Sequence, residues 1–243
     1  MFTVGATALS RAADPSALWH IVDGQCVPHQ ERNGDPAPCA AVSLVPDRAH
    51  GYAVLKDLVG IAQFLVMPAA RIGGIEDPAI LAPGATNYWA PAWEVRRNVE
   101  VRLPRNLTRE EVSLAINSRL GRTQDLLHIH VDCVRADVKA AIAANLEAVG
   151  PDWAPFPVAF DGHPYRARRI EAETLQAVDP FRLLAASIPV SEMGNHTLVV
   201  VGATFAGGVP GFVLFDDRVD LARGDRASGE ELQDHRCGVV FGR

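Results

Sequence analysis

Asn117-Ser-Arg-Leu-Gly-Arg-Thr-Gln-Asp-Leu-Leu-His-Ile-His-Val-Asp-Cys133 is the stretch on which the reading of this chain turns. From residue 125 to 133 it alternates with period two, the signature of a strand with two unlike faces. Leu126, His128, His130 and Asp132 share one face, and Leu127, Ile129, Val131 and Cys133 the other. The second face is apolar throughout and is the core side. Two imidazoles and a carboxylate are therefore presented together, and Cys133 points away from them. Residues 118–123 read as a turn whose backbone N–H groups can hold an anion. Residues 112–117 alternate as well and form a neighbouring strand, with Thr108-x-x-Glu111 offering a capping box just before it.

Outward from this pair, residues 51–57 and 61–67 read as two strands joined around Gly60, the second ended by Pro68. Residues 71–91 are rich in Gly, Pro and Asp and read as a long loop, of the kind that is often functional. A helix follows around 93–99. Another runs from a cap at Asp137 to Val149, with Gly150 at its end. Residues 197–205 and 211–215 form a hairpin through Gly207-Gly208, and Ser228-x-x-Glu231 opens a last short helix. At the front, Asp14-Pro15 starts a helix with Leu18, Ile21 and Val22 on its apolar side. Hairpins followed by helices define a single antiparallel α+β domain over residues 14–243.

The 243 residues suffice for a sizeable core, and 48% hydrophobic with 21% charged residues is ordinary globular usage. Twenty-three basic against 29 acidic residues give a net charge of −6, which argues against a nucleic-acid binder. No apolar run reaches the roughly 18 residues of a spanning helix. Residues 1–13, apolar and small with a Ser-Arg-Ala site, resemble the back half of a signal peptide or N-terminal membrane anchor. They point to an exported protein. None of the four cysteines forms a Cys-x-x-Cys pair, so a zinc ribbon or dithiol redox site is not expected.

Histidines on one strand face suit two chemistries. As His-x-His-x-Asp they could ligate a metal, although the binuclear zinc hydrolases continue that motif with a histidine where Cys133 stands. Alternatively, a neutral imidazole attacks phosphorus while its neighbour and the turn hold the phosphate oxygens. The order Asn117, Gln124, His128, His130 resembles the Asn…Gly-x-Gln-x-x-x-His-x-His pattern of the histidine-triad superfamily of nucleotide hydrolases and transferases. Further stretches resemble one branch of it, the CDP-diacylglycerol pyrophosphatases. They are Leu18-Trp-His-Ile-Val, Gln25-Cys-Val-Pro, Pro36-Ala-Pro-Cys39-Ala, Gly51-Tyr-Ala-Val-Leu-Lys-Asp57, Ala115-Ile-Asn-Ser-Arg-x-Gly-Arg-Thr-Gln124, Gly162-His-x-Tyr165-x-Ala-Arg-Arg169 and Gln233-Asp-His-x-Cys237. They span nearly the whole chain.

The resemblance implies a histidine-triad-like sheet with flanking helices. It also implies a cofactor-free hydrolase that splits CDP-diacylglycerol into CMP and phosphatidate at a membrane surface, the periplasmic face of the inner membrane. Aligned on Asn117 and Gln124, the attacking histidine is His130 and His128 is the first, structural one; counted from Leu126, it is His128. Asp132 stands where the third histidine belongs. Asn117, Ser118, Arg119, Gln124, Lys56, Arg71 and Asp132 are the expected substrate contacts. Arg168 and Arg169 are candidates for phosphate or headgroups, and Tyr88, Trp89 and Trp93 for a lipid groove. A metal-dependent phosphoesterase and a non-catalytic nucleotide or lipid carrier are the other readings. The exported setting favours two disulfides, Cys26–Cys39 across a turn-rich loop and Cys133–Cys237 from the remaining pair.

Overall fold

Nine strands hydrogen-bond into one sheet in the computed structural model, which describes residues 14–242; the leader-like stretch 1–13 lies outside the described residues. In chain order they are β1 (Ala41–Ser43), β2 (Tyr52–Lys56), β3 (Phe64–Pro68), β4 (Val112–Ile116) and β5 (Ile129–Cys133). Then come β6 (Ala154–Pro155), β7 (Arg166–Glu171), β8 (His196–Phe205) and β9 (Val209–Arg218). Across the sheet the order is β1-β2-β3-β5-β4-β8-β9-β7-β6, and every neighbouring pair is antiparallel. This is the expected α+β class. The helices are α1 (Ala17–Ile21), α2 (Val27–Asn33), α3 (Trp89–Glu100), α4 (Ala136–Asn145), α5 (Pro180–Ala185) and α6 (Gly238–Phe241). Among the described residues no helix is long and apolar enough to cross a membrane.

Period-two alternation gives the sheet two differently covered faces. Phe64, Val66, Leu114, Ile129, Val131, Leu198, Val200 and Phe212 point to the first, where α3 and α5 bury Trp89, Trp93 and Phe181 against them. The second face is covered in two separate patches. Ala53, Leu65 and Met67 lie under the N-terminal helices with Val22 and Val27, while Ala115, Val199, Val201 and Phe215 lie under Val138 and Ile142 of α4. His130 pairs across the sheet with Leu65 on one side and Ala115 on the other. It therefore falls on the seam between the two patches.

Several boundaries move from expectation. β5 begins at Ile129 rather than 125, because the donors ahead of it are engaged elsewhere: Asp125 N donates to Pro15 O at 2.7 Å and Leu127 N to Ile72 O at 2.7 Å. Half of the expected Cys26–Cys39 loop is helical, a wide turn over Val22–Cys26 running into α2 and stopping at Gly34 with φ 70°. α3 starts at Trp89, since Asn87 Oδ1 accepts from Trp89 N and Pro91 is tolerated in a first turn. Asp137 is not the cap of α4; that position is Arg135, to which the Asp137 carboxylate pairs from the first turn. The final Ser228 segment is a 3-10 turn, Gly229–Leu232. β1, β6, β7 and α5 were not anticipated. Both disulfides are present, Cys26–Cys39 and Cys133–Cys237, which suits an exported protein.

Candidate active site

A cleft of about 650 Å³ opens at the seam of the second face, well within the range of small-ligand sites. Ala17, Leu18 and Ile21 of α1, with Leu55, Leu58 and Val59, form its apolar wall. Its polar wall is His128, His130, Asn117, Gln124, Lys56 and Glu230. The two imidazoles meet edge to face, with centroids 4.8 Å apart.

The two rings have different partners at Nδ1. His128 Nδ1 donates to the backbone carbonyl of Leu126 at 2.6 Å, so the neutral ring keeps its lone pair on Nε2. His130 Nδ1 lies 2.6 Å from Gln63 Nε2, which also reaches Glu230 Oε2 at 3.3 Å. Glu230 Oε2 lies 3.2 Å from the same Nδ1, so an amide and a carboxylate both face it. His130 Nε2 is buried with no partner among the described residues. The expected carbonyl partner for His130 is therefore absent; the carbonyl belongs to His128. Burial lowers the pKa of His128, and burial together with the adjacent His128 lowers that of His130 well below the usual histidine range. Both rings are neutral at neutral pH.

Glu230 organises the polar wall. Its Oε1 accepts from Asn117 Nδ2 at 2.7 Å, and its Oε2 lies 3.2 Å from His130 Nδ1 and 3.8 Å from His235 Nε2. The turn that carries it sits directly on the sheet because residue 229 is glycine: a Cβ there would lie 2.7 Å from Thr197 Oγ1 and 2.7 Å from Val199 Cγ2. Behind the wall, His235 Nδ1 donates to Asp132 Oδ2 at 2.8 Å, and that carboxylate raises the His235 pKa.

The expected contacts divide. His128, His130, Asn117, Gln124 and Lys56 line the cleft. Gln124 also ties the N-terminal helix to it, accepting from Leu18 N and donating to Asp14 O, while Lys56 Nζ is held by the carbonyls of Asp57 and Gly60. The other four lie off it. Ser118 shapes the turn, its hydroxyl accepting from Leu120 N and Gly121 N and donating to Arg226 O. Arg119 meets the Gly194 carbonyl through its backbone. Arg71 borders a separate groove beside Tyr88. Asp132 is fully buried against His235 and the Cys237 sulfur, so His128, His130 and Asp132 do not converge as a metal-binding set. Arg168 and Arg169 stack on Trp153 and Phe205 in β7, two strands beyond β8. Tyr88, Trp89 and Trp93 are core residues rather than a lipid groove.

Gln63, Glu230 and His235 were missed. The only sequence signals were His235 within Gln233-Asp-His-x-Cys237 and the acidic pair opening the last turn.

A family model described as CDP-diacylglycerol pyrophosphatase matches residues 13–240 of this chain. A Yersinia pestis protein named CDP-diacylglycerol pyrophosphatase is 40% identical over 232 residues, 95% of this chain and 87% of the relative.

Proposed function

Since the chain belongs to the CDP-diacylglycerol pyrophosphatase family, we propose that its cleft hydrolyses CDP-diacylglycerol to CMP and phosphatidate through a nucleotidyl-histidine. The observation that carries this reading is the adjacent pair of ring nitrogens: a lone pair on His128 Nε2, set by the Leu126 carbonyl, beside the unpartnered His130 Nε2.

His128 Nε2 attacks the nucleotide-side phosphorus. The N–P bond forms as the bond from that phosphorus to the bridging oxygen breaks, and phosphatidate leaves with the electron pair. The Leu126 carbonyl keeps the His128 proton on Nδ1 and takes up part of the positive charge that develops on the ring. His130 Nε2–H donates to a phosphate oxygen in the transition state, and Glu230 and Gln63 hold that ring in place. Water then attacks the same phosphorus as the N–P bond breaks; its electron pair returns to His128 Nε2, the water proton passes to solvent, and CMP leaves with the new oxygen. Hydrogen bonding thus favours His128 as attacker over His130, the choice from alignment on Asn117 and Gln124, and the shared motif order supports descent from the histidine-triad superfamily.

The apolar wall suits the lipid end. Leu58, Val59 and Ile61 at the tip of the β2–β3 hairpin are exposed, Leu58 completely, and two of them line the cleft. Such a tip supports seating on a membrane surface with the acyl chains left in lipid. The disulfides support the periplasmic side.

The decisive experiment combines ¹⁸O-water with rapid quenching. Label is expected in CMP and not in phosphatidate, with an acid-labile CMP adduct mapping to His128. His128→Ala abolishes turnover, by three orders of magnitude or more on the order of a lost nucleophile, whereas His130→Ala leaves measurable activity. Label in phosphatidate, an adduct on His130, or a His128→Ala enzyme near its original rate overturns the assignment.

A further inference from the structure

A second cluster of ionisable groups lies outside the cleft. His163 precedes β7, Asp217 is in β9, Asp225 is in the loop after it, and Glu231 follows the cleft residue Glu230. One donor atom from each of His163, Asp217 and Asp225 lies within 4.8 Å of the others. His163 Nδ1 is 2.9 Å from Glu231 Oε2 and 3.7 Å from Asp225 Oδ1. Tyr165 donates its hydroxyl to Glu231 Oε1 at 2.5 Å. Asp217 is 4% exposed and Asp225 1%.

What singles the cluster out is the hydrogen-bond accounting of Asp217. Its Oδ1 accepts from Arg218 N at 2.7 Å, but its Oδ2 is buried with no partner. Asp225 Oδ1 is capped by Ala227 N. Among the described residues no lysine or arginine side chain forms an ion pair with Asp217, Asp225 or Glu231. Arg166 pairs with Asp216, and Arg135 with Asp137 and Asp161. His163 is the cation facing Glu231 and Asp225: burial opposes its charge, but the Glu231 hydrogen bond and the acidic neighbours outweigh burial and raise its pKa. Asp217 has no ion-pair partner among the described residues, and a buried carboxylate without a counter-ion is costly.

We propose that His163, Asp217 and Asp225, with Glu231 in reach, bind one divalent cation of the zinc–manganese class, the orphaned Asp217 oxygen being one ligand. A set with one imidazole nitrogen and carboxylate oxygens suits zinc or manganese, whereas calcium and magnesium prefer oxygen alone. The ion has a path in, because Asp217 and Asp225 border an open groove of about 910 Å³. Its effect is to pin β9, the following loop and the approach to β7 to the turn carrying Glu230, so it acts on architecture and takes no part in the chemistry. The competing occupant is a proton shared by Asp217 and Asp225; burial and then the Asp225 charge already hold Asp217 up to about 8.

The test uses the intact protein, stripped with chelator and titrated calorimetrically with Zn²⁺, Mn²⁺, Mg²⁺ and Ca²⁺ in turn. One equivalent of Zn²⁺ or Mn²⁺ is expected to bind at micromolar or lower Kd and raise Tm, with Mg²⁺ and Ca²⁺ at least tenfold weaker. Asp217→Asn and His163→Gln each weaken binding tenfold or more, the second covering the case in which the buried first variant fails to fold. His128→Ala leaves binding unchanged. Stripped wild-type protein that takes up no stoichiometric ion overturns the proposal, as does binding kept in His163→Gln or lost in His128→Ala.

Discussion

His128 and His130 are buried among groups that disfavour a charged ring, and burial is the larger cause for both. A basic group with a lowered folded pKa is neutral in the folded state where the unfolded chain would protonate it. Its contribution to stability is present above the ordinary histidine value of about 6.5 and is lost as pH falls through the folded value. Under the proposed mechanism the same sign governs activity, because attack by His128 requires a neutral ring. The acid limb of kcat/KM against pH is therefore expected below about 6.5, and the ring signals of both histidines should titrate there by NMR. A limb at or above that value contradicts the arrangement. At position 229, Gly229→Ala places a methyl 2.7 Å from Thr197 Oγ1 and Val199 Cγ2, which lifts the Glu230 turn. Stability should fall by about 1–3 kcal/mol, as overpacking does. Turnover should fall as well, with KM less affected, since the turn positions His130.

The β2–β3 hairpin is the element on which the proposed membrane contact would depend. Its strands are fixed by five cross-strand pairs from Tyr52↔Pro68 to Lys56↔Phe64, and Lys56 closes the connection by donating to two of its carbonyls. Leu58 and Ile61 at the tip therefore present apolar area to solvent from a well-held frame. Ile61 is anchored through its backbone, its N–H donating to His235 O and its carbonyl accepting from Arg102 Nε, contacts that a serine side chain leaves in place. Replacing Ile61, which lies off the cleft lining, with serine removes about 1–2 kcal/mol of lipid burial. Vesicle binding, measured by sedimentation, is expected to drop about five- to thirtyfold. Hydrolysis of a water-soluble short-chain substrate should stay near the parent rate. Equal loss on both substrates would assign the tip to the cleft alone.

At the scale of the whole molecule the two disulfides do different work. Cys26–Cys39 closes a separation of 13 residues inside the N-terminal helical region, and Cys133–Cys237 closes 104. In the chain-entropy account these stabilise by about 3 and about 5 kcal/mol respectively. The Cys133/Cys237 double serine variant should therefore show the larger drop in denaturant midpoint. It should also lose activity before it unfolds globally, because that bridge holds the segment carrying His235 and Asp234 against β5. An equal or smaller loss than in the Cys26/Cys39 variant would show that the long bridge constrains little.

Alternation along residues 129–133, the two hairpins and the capping box at Thr108 and Glu111 were legible in the sequence. Each depends on period two or on contacts within a few residues, which composition and spacing encode directly. The same local logic put His128 and His130 on one face and Cys133 on the other. Short edge pieces such as β1 and β6 carry too few residues to show a period, and β5 lost its first four residues to backbone partners as distant as Pro15 and Ile72. Only the tertiary structure decided which residues complete the site. The sheet order sets β3 beside β5, bringing Gln63 to His130 from 67 residues away, and the last turn brings His235 to Asp132 from 103. No local period records such distances. The partners of the two rings were decided there too: the fold places a backbone carbonyl against Nδ1 of His128 and a side-chain amide against Nδ1 of His130.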